Sequence, residues 1–306
     1  MEGRIRRVAV IGAGPSGAIA TDALVKEQAF DEVYVFERHA VAGGTWVYDP
    51  NSICGIPCLR DLVEKSADLP KVIVIGGSVS AVEAIHEIRT VSKHPVIVSL
   101  RKPLYEFGWT PFVHPHIQVR SVIASVDADS KCVEFADGSV AQDVDLLLFA
   151  TGYDFSFPFL SGVGISNRRI RGLYQHVFSQ RDPTLAFLGM VSGGLTFRVF
   201  EWQAVAVARV FAGRVTLPPA EAMEKWEETT SDANGDGLSF FNIGTDYEGY
   251  FESLRSLAGE PARGTTGRIL PKYEKSWEEG LVQVIEARRL WWERERRIAE
   301  ANERAN

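Results

Sequence analysis

The sequence has few cysteines, a small excess of one charge and no long apolar run. Three of its 306 residues are cysteine, too few for a disulfide-stabilised scaffold, so we expect a reducing compartment. The formal net charge of −7 disfavours nucleic acid as a partner. No stretch reaches the ~18 consecutive apolar residues of a membrane span. We therefore expect a soluble, cytoplasmic protein.

The composition is that of a globular chain, with 45% hydrophobic and 24% charged residues. These fractions exclude disordered and collagen-like classes of protein. At roughly 150 residues per domain, the length allows one large domain or two moderate ones. The amino-terminal residues carry basic side chains before an apolar run, as in a signal peptide, but glycines at positions 12, 14 and 17 interrupt that run.

Two segments of the chain follow the same plan. Val8–Gly12 and Val72–Gly76 are β-branched runs that end on glycine, and each precedes a helix-compatible stretch and a second apolar run. Continuous apolar runs of this kind are typical of strands buried in parallel sheets. The repeat predicts two strand–helix–strand units with right-handed crossovers. The expected fold class is therefore α/β, with two Rossmann-like, doubly wound, three-layer lobes.

The first repeat carries a complete G-x-G-x-x-G pattern between its strand and its helix. Its residues are Gly12, Ala13, Gly14, Pro15, Ser16 and Gly17. Such glycines allow a tight turn, close approach of a pyrophosphate to the backbone and close packing of helix on strand. Glu37 follows 25 residues after Gly12, where an acid can bind ribose hydroxyls. The pattern predicts a dinucleotide site, and a glycine turn without a ligand is the alternative.

The second repeat carries a modified form of this pattern. It begins at Gly76, has Ser78 at the second glycine position, and continues through Ser80 to Ala81 at the third. Arg101 lies 25 residues beyond Gly76, in the place that Glu37 takes in the first repeat. An arginine there favours the 2′-phosphate of NADP over a bare ribose. The alternative is a solvated charge at the end of a strand.

Further motifs resemble those of the flavin-containing monooxygenase family. Gly43-Gly44-Thr45-Trp46 is similar to the family's glycine pair followed by tryptophan, and Ala150-Thr151-Gly152-Tyr153 to its threonine–glycine motif. Three later stretches also resemble the family: Leu173–Phe178, Leu185–Gly189 and Glu201–Ala204.

The resemblance implies FAD at the first glycine loop and NADPH at the second. It implies a monooxygenase that uses O2 and a C4a-hydroperoxyflavin to oxygenate a small molecule with a soft nitrogen or sulfur atom. Gly44, Thr45, Trp46, Thr151 and Gly152 would then contribute to cofactor binding. It assigns no catalytic side chain.

The segment between the two glycine loops is short for this family. Only Val47–Lys71 separates Trp46 from the second repeat, whereas the family has a much longer segment there. The resemblance implies a discontinuous, truncated FAD lobe, residues 1–66 and 149–306 with a helical carboxyl-terminal part, around an NADP lobe, residues 67–148. A sheet without its full set of strands would leave an unfilled position and an exposed edge. We expect poor solubility or weak flavin retention.

Three other functions stay open. A flavin disulfide reductase would place a redox cysteine directly after Gly-Gly-Thr, where this chain has Trp46, and Cys54 and Cys58 are separated by three residues. A Baeyer–Villiger-type monooxygenase is the second. The sequence fingerprint that distinguishes it from a flavin-containing monooxygenase lies in the segment that is short in this chain. A nucleotide-binding remnant without catalytic activity is the third.

No metal site is expected. Residues 232–237 imitate the start of a calcium loop, but Ile243 stands where that loop requires glutamate. His114 and His116 have no further ligands at suitable spacing. Residues 274–306 mix acids, bases and apolar side chains in a pattern that predicts an amphipathic terminal helix. The oligomeric state stays open.

Overall fold

A computed structural model describes residues 5–47, 69–103 and 108–305. The chain divides into two compact units. The first unit comprises Met1–Tyr48 and Asp154–Leu281, and the second comprises Asp49–Tyr153 and Val282–Asn306. Cys54 and Cys58 lie outside the described residues.

The described residues form both helices and short strands, which confirms the α/β class. The helices are α1 (Pro15–Lys26), α2 (Val79–Ile88), α3 (Thr196–Phe211), α4 (Ala220–Asn234), α5 (Tyr247–Ala258) and α6 (Lys275–Ala305). The strands are β1 (Arg7–Ile11), β2 (Glu32–Phe36), β3 (Val72–Ile75), β4 (Val96–Ser99), β5 (Ile117–Arg120), β6 (Ile123–Asp127), β7 (Cys132–Phe135), β8 (Val140–Ala141), β9 (Leu146–Phe149), β10 (Ile165–Ser166), β11 (Arg169–Ile170), β12 (Leu173–Tyr174) and β13 (Phe178–Ser179).

In the first unit, β1 and β2 form a two-stranded parallel sheet. Val8 and Val10 turn one face of this sheet toward the buried cluster that also contains residues of α1 and α3. On the other face Ile11 lies opposite Phe36, and these side chains are 55% and 54% exposed. Tyr34, two positions before Phe36, is 49% exposed. The sheet therefore presents an exposed apolar face.

An apolar cleft of about 220 Å³ follows β1. Its lining includes four consecutive residues of β1, Val8–Ile11, together with Leu185–Leu188 and Phe157. Residues of α1 and α3 also line this cleft, among them Ala20, Leu24 and Val207.

Helix α1 is anchored at its carboxyl end by a buried ion pair. Glu27, the residue that ends α1, accepts a hydrogen bond from Arg209 of α3 at 3.1 Å, and both side chains are almost fully buried. Arg209 also donates to the carbonyl oxygens of Gly259 and Arg268. The pair fixes α1, and with it the turn at the start of α1, to the helices of the core.

The second unit is built on a four-stranded parallel sheet in the order β5-β4-β3-β9. Val72 and Val74 pack on one face against α2. Ile73 and Ile97 pack on the other face against Val133 and Phe135, which belong to the antiparallel sheet β6-β7-β8. A helical layer and an antiparallel layer thus enclose the sheet, in agreement with the predicted three-layer class.

The predicted amphipathic terminal helix is present as α6. Its residues from Val282 onward belong to the second unit, although the sequence assigned them to the first lobe. The reason is packing: Trp291 and Trp292 contact His86 of α2, and Arg89 pairs with Glu295 at 2.7 Å. No helix among the described residues has the length and apolarity to cross a membrane.

Candidate functional site

The turn between β1 and α1 has the geometry of a phosphate-binding loop. Gly12 adopts φ +98°, a conformation that favours glycine, and its amide donates to the Phe36 carbonyl at 2.7 Å. Helix α1 begins at Pro15, and Gly14 before it is extended. A proline at the first helical position lacks only an amide hydrogen that would have had no partner in the helix. The free amides that follow, at Ser16 and Gly17, can bind an anion.

Two close backbone approaches explain the glycines in this turn. A Cβ atom at Gly17 would lie 1.9 Å from the Gly12 carbonyl oxygen, so only glycine fits there. A Cβ atom at Gly44 would lie 2.9 Å from the Cα atom of Gly14. The Gly43 amide also donates to the Ala13 carbonyl at 2.8 Å. The structure therefore brings the G-x-G-x-x-G turn and the Gly43–Trp46 motif together.

Glu37 lies beside the same turn. Its Oε2 atom accepts a hydrogen bond from the Ala13 amide at 2.7 Å, and its Oε1 atom accepts one from the His39 amide at 2.9 Å. These backbone bonds, with His39 the larger contributor, hold the pKa of the Glu37 carboxyl below its usual value. Glu37 is therefore an ionised acceptor positioned at the end of β2.

Thr45 and Trp46 lie in a short 3-10 helix, Gly44–Trp46. The Trp46 side chain is 73% exposed, and its ring centroid lies 6.3 Å from that of Phe197, which is 60% exposed. Phe197 was not predicted from the sequence. The turn Gly193–Gly194 before it, with positive φ angles at both residues, is the signal that could have drawn attention to it.

The three later family-like stretches meet in the interior of the first unit. Gln203 of α3 accepts a hydrogen bond from the Gly189 amide at 2.7 Å and donates to the Tyr250 hydroxyl at 2.7 Å. Tyr250 in turn donates to the Gln175 carbonyl at 3.1 Å. Burial raises the pKa of the Tyr250 hydroxyl, so it stays protonated and able to donate. This network joins the turn between β12 and β13 to the strand-like stretch at residues 185–189.

The second glycine loop follows β3 in the second unit. Gly76 has φ +139°, and a Cβ atom there would lie 2.3 Å from the Ala150 carbonyl oxygen. A Cβ atom at Gly77 would lie 2.6 Å from the Lys102 carbonyl oxygen. Both positions thus require glycine. The importance of Gly77 was missed because the pattern counts only the first, third and sixth positions.

The remaining predicted residues of this loop divide between surface and core. Ser78 precedes the first residue of α2, and both Ser78 and Ser80 are exposed. Ala81 is fully buried against the sheet, where its small side chain allows the close packing that a third glycine would give. Arg101 is exposed two residues beyond β4.

Thr151 and Gly152 lie after β9, separated from it by Ala150, and belong to the second unit. Strand β9 pairs with β3, and the Ala150 amide donates to the Ile75 carbonyl at 2.8 Å. Gly152 has φ +81°. The threonine–glycine motif therefore lies beside the second glycine loop.

The structure thus groups the predicted residues into two sets. Gly12–Gly17, Glu37 and Gly44–Trp46 form one set in the first unit, and Gly76–Ala81, Arg101 and Thr151–Gly152 belong to the second unit. Among the described residues, no group of three histidine, cysteine or acidic side chains is arranged to hold a metal ion. These features define an α/β protein with a dinucleotide-type glycine turn in each of two units.

Comparisons with known proteins agree with this class. The model of the flavin-binding monooxygenase-like family matches residues 110–261. The flavin-containing monooxygenase FMO GS-OX3 of Arabidopsis thaliana is 34% identical over 208 residues, which cover 66% of this chain and 40% of that protein. The thiol-specific monooxygenase of Saccharomyces cerevisiae is 28% identical over 226 residues, covering 70% and 48% of the two chains.

Solved structures show the same fold. S-allyl-L-cysteine S-oxygenase from Allium sativum superposes with a TM-score of 0.68 at 19% identity, covering 93% of each chain. Tmm from Pelagibacter sp. strain HTCC7211 gives a TM-score of 0.64 at 19% identity, covering 83% of this chain and 87% of that one. Over residues 110–261 the chain belongs to the flavin-binding monooxygenase-like family, and it is similar to flavin-containing monooxygenases over about two thirds of its length. It spans less than half the length of the two curated relatives named above.

Proposed function

We propose that this protein is an FAD- and NADPH-dependent monooxygenase that inserts one oxygen atom from O2 into a small molecule with a soft sulfur or nitrogen atom. The observation that carries the proposal is the pair of glycine turns, each built on its own parallel sheet and each closed by backbone contacts that only glycine permits. Binding of two dinucleotides is the arrangement needed to pass a hydride from a nicotinamide to a flavin.

FAD would bind in the first unit. The Gly14–Gly44 contact leaves a shallow cradle without side chains, in which a pyrophosphate can approach the backbone. The amides of Ser16 and Gly17 would bind its oxygens at the positive end of α1. Glu37, held ionised by the Ala13 and His39 amides, would accept hydrogen bonds from ribose hydroxyls.

NADPH would bind in the second unit. Gly76 and Gly77 would allow the pyrophosphate close to the backbone, with Ser78 and Ser80 exposed at the start of α2 to donate hydrogen bonds. The exposed guanidinium of Arg101 would bind the 2′-phosphate. We propose the predicted lobes, FAD on residues 1–66 and 149–306 and NADP on residues 67–148, with one change. Residues 149–153 and 282–306 are assigned to the NADP lobe, because they belong to the second unit.

When bound, the flavin would supply the reaction with O2, and the protein would position the rings and exclude water. Trp46 and Phe197 are suited to exclude water, because they present adjacent aromatic faces beside the glycine cradle. A sulfur substrate is the first choice, since one relative is named a thiol-specific monooxygenase. The expected site of action is the cytoplasm.

The test is oxygenation by the purified full chain. Methyl p-tolyl sulfide and N,N-dimethylaniline would be supplied with NADPH and catalase, and sulfoxide or N-oxide would be measured by chromatography. Sulfoxide that depends on NADPH and O2 supports the proposal. A parallel reaction without catalase measures hydrogen peroxide, and NADPH consumption that is fully recovered as peroxide refutes productive oxygenation. Gly77→Ala should abolish NADPH-dependent flavin reduction. Gly164→Ala is the control, because nothing lies within 4 Å of a Cβ atom there.

A second function, nucleotide binding without oxygenation, is favoured by the exposed sheet of the first unit. Ile11, Tyr34 and Phe36 leave one face of a two-stranded sheet in contact with solvent, so the flavin would lack a complete surrounding core. In that case NADP⁺ would bind to the second unit with ordinary affinity, while FAD would dissociate on gel filtration. Equilibrium dialysis of both nucleotides distinguishes the two functions.

A further inference from the structure

The second unit contains a basic cavity on the face of its sheet opposite α2. The cavity has a volume of about 530 Å³ and lies over Ile97 of β4 and over Gln118 and Arg120 of β5. It extends to Lys71 and Lys93, which precede β3 and β4. The glycine loop and Arg101 follow the carboxyl ends of the same strands. The cavity is therefore separate from the proposed dinucleotide site.

The charge of the cavity is opposite to that of the whole protein. Its lining contains three permanent cations, Lys71, Lys93 and Arg120, and one acid, Asp143, while the chain as a whole carries a net charge of −7. A concentration of positive charge in a cleft attracts anions. Two further acids lie near these cations without lining the cavity. Asp145 accepts a hydrogen bond from the Lys71 amide at 2.9 Å, pairs with Lys131 at 2.9 Å and interacts electrostatically with Lys93, and Asp137 interacts electrostatically with Arg120.

All three of these cations keep unused donors. The Nε atom of Arg120 is shielded from solvent and has no hydrogen-bond acceptor in the structure, and its guanidinium lies 6.0 Å from the Phe135 ring centroid. Within residues 5–47, 69–103 and 108–305, the Lys93 ammonium forms no hydrogen bond or ion pair within the usual limits. Lys71 donates to the Gln142 carbonyl at 2.7 Å, which leaves two of its three hydrogens free. His94 is engaged elsewhere, since its Nε2 atom contacts the Arg89 carbonyl oxygen at 2.7 Å.

We propose that this cavity binds a small molecule that carries a phosphate or carboxylate group. Guanidinium and ammonium groups are the side chains that bind both kinds of oxyanion, and arginine does so in a bidentate manner. The volume falls in the range of roughly 300–1,000 Å³ that is usual for small-molecule pockets. Ile97, Val140 and Ala141 supply an apolar floor for the rest of the molecule. The site is independent of the proposed oxygenation.

The test is calorimetric titration of the full chain with inorganic pyrophosphate and, separately, with citrate, in low-chloride buffer. We expect saturable binding of one equivalent of at least one probe, weakened tenfold or more by Arg120→Gln and by Lys93→Gln. Because Lys93 is exposed, its substitution leaves folding intact even if Arg120→Gln does not fold. Stronger binding of pyrophosphate indicates a phosphorylated ligand, and stronger binding of citrate indicates a carboxylated one.

Arg297→Gln is the matched control, because it removes one exposed positive charge from the same unit outside the cavity. Binding should be unchanged in this variant and unaffected by saturating NADP⁺. The proposal is overturned if neither probe binds saturably, if Lys93→Gln binds as tightly as the wild type, or if Arg297→Gln weakens binding as much as Lys93→Gln does.

Discussion

The carboxylate of Glu37 accepts a hydrogen bond from the amide of Ala13 across 24 positions of sequence, at 2.7 Å. This bond ties the end of β2 to the glycine turn that follows β1. It means that the acid expected to bind ribose and the turn expected to bind phosphate form one structural unit.

Glu37→Ala should therefore weaken FAD binding in two ways, by removing the ribose acceptor and by loosening the turn. We expect the dissociation constant for FAD to rise by a factor of about 10 or more, since a hydrogen bond to a charged group contributes ~1.5–3 kcal/mol. Fluorescence titration of FAD measures this change. Glu221→Ala, an exposed acid on α4, is the control, and equal effects of the two substitutions would contradict the role of Glu37.

The buried pair of Glu27 and Arg209 should be essential for the stability of the first unit. Arg209→Leu removes one of the two guanidinium partners of the buried Glu27 carboxylate, the other being Arg214 at 3.0 Å. We expect it to lower the free energy of unfolding by about 1–3 kcal/mol. Urea denaturation measures this change in the free energy of unfolding. The exposed Arg181→Leu should change stability by less than about 0.5 kcal/mol. The double variant Glu27→Leu/Arg209→Leu should be more stable than Arg209→Leu alone, because it removes the buried carboxylate that has lost a partner and leaves without it only Arg214, which is partly exposed; a less stable double variant would rule out this explanation.

Stability should fall in mild acid because two buried histidines resist protonation. Burial, together with the nearby Arg89 guanidinium, lowers the pKa of His114 to about 4. Burial and Arg169 lower the pKa of His176 to about 3. Protonation of the unfolded chain near pH 6.5 then favours unfolding. Each neutral histidine contributes fully to the free energy of unfolding above pH 6.5. This contribution is lost as the pH falls toward the pKa that the histidine has in the folded protein.

His114→Asn checks this dependence, because asparagine can replace the Nδ1 acceptor that the His116 amide uses and does not titrate. Thermal unfolding followed between pH 7 and pH 4 should show a smaller loss of stability in this variant than in the wild type. The exposed His39→Asn serves as control. Parallel pH profiles for all three proteins would show that His114 is not responsible.

The exposed face of the two-stranded sheet should make the protein prone to association. Tyr34 and Phe36 lie on that face with ring centroids 6.4 Å apart. Tyr34→Lys should increase the monomeric fraction in light scattering, since a charge on an exposed strand opposes edge and face association. Val126→Lys, on the exposed side of β6, is the comparison. If both substitutions act alike, a general charge effect explains the result.

The local features of this fold could be predicted from sequence, and the long-range ones could not. The runs around Val8 and Val72 and the glycines after them predict strands, turns and helices, because each signal lies within a dozen residues. The contact of Trp46 with Phe197 and the pair of Glu27 with Arg209 join residues 151 and 182 positions apart. No single-sequence pattern specifies such partners.

The placement of the terminal helix shows the same limit. Its amphipathic pattern predicts a helix, and α6 confirms it, but the pattern does not specify which surface Trp291 and Trp292 contact. Strands β10–β13 have two residues each, too short to produce an alternating pattern. At the candidate site, the need for glycine at position 77 could not be predicted. It arises because the carbonyl of Lys102, which is distant in sequence, leaves no room for a side chain there.

The most direct test of the proposed function is the visible spectrum of the purified 306-residue chain before and after anaerobic addition of NADPH. The proposal predicts a bound flavin with absorption near that of free FAD, which NADPH bleaches and O2 restores. Arg101→Ala should slow the bleaching by NADPH at least tenfold while changing bleaching by NADH little. A chain that binds no flavin when supplied with excess FAD, or a bound flavin that NADPH does not reduce, would contradict it.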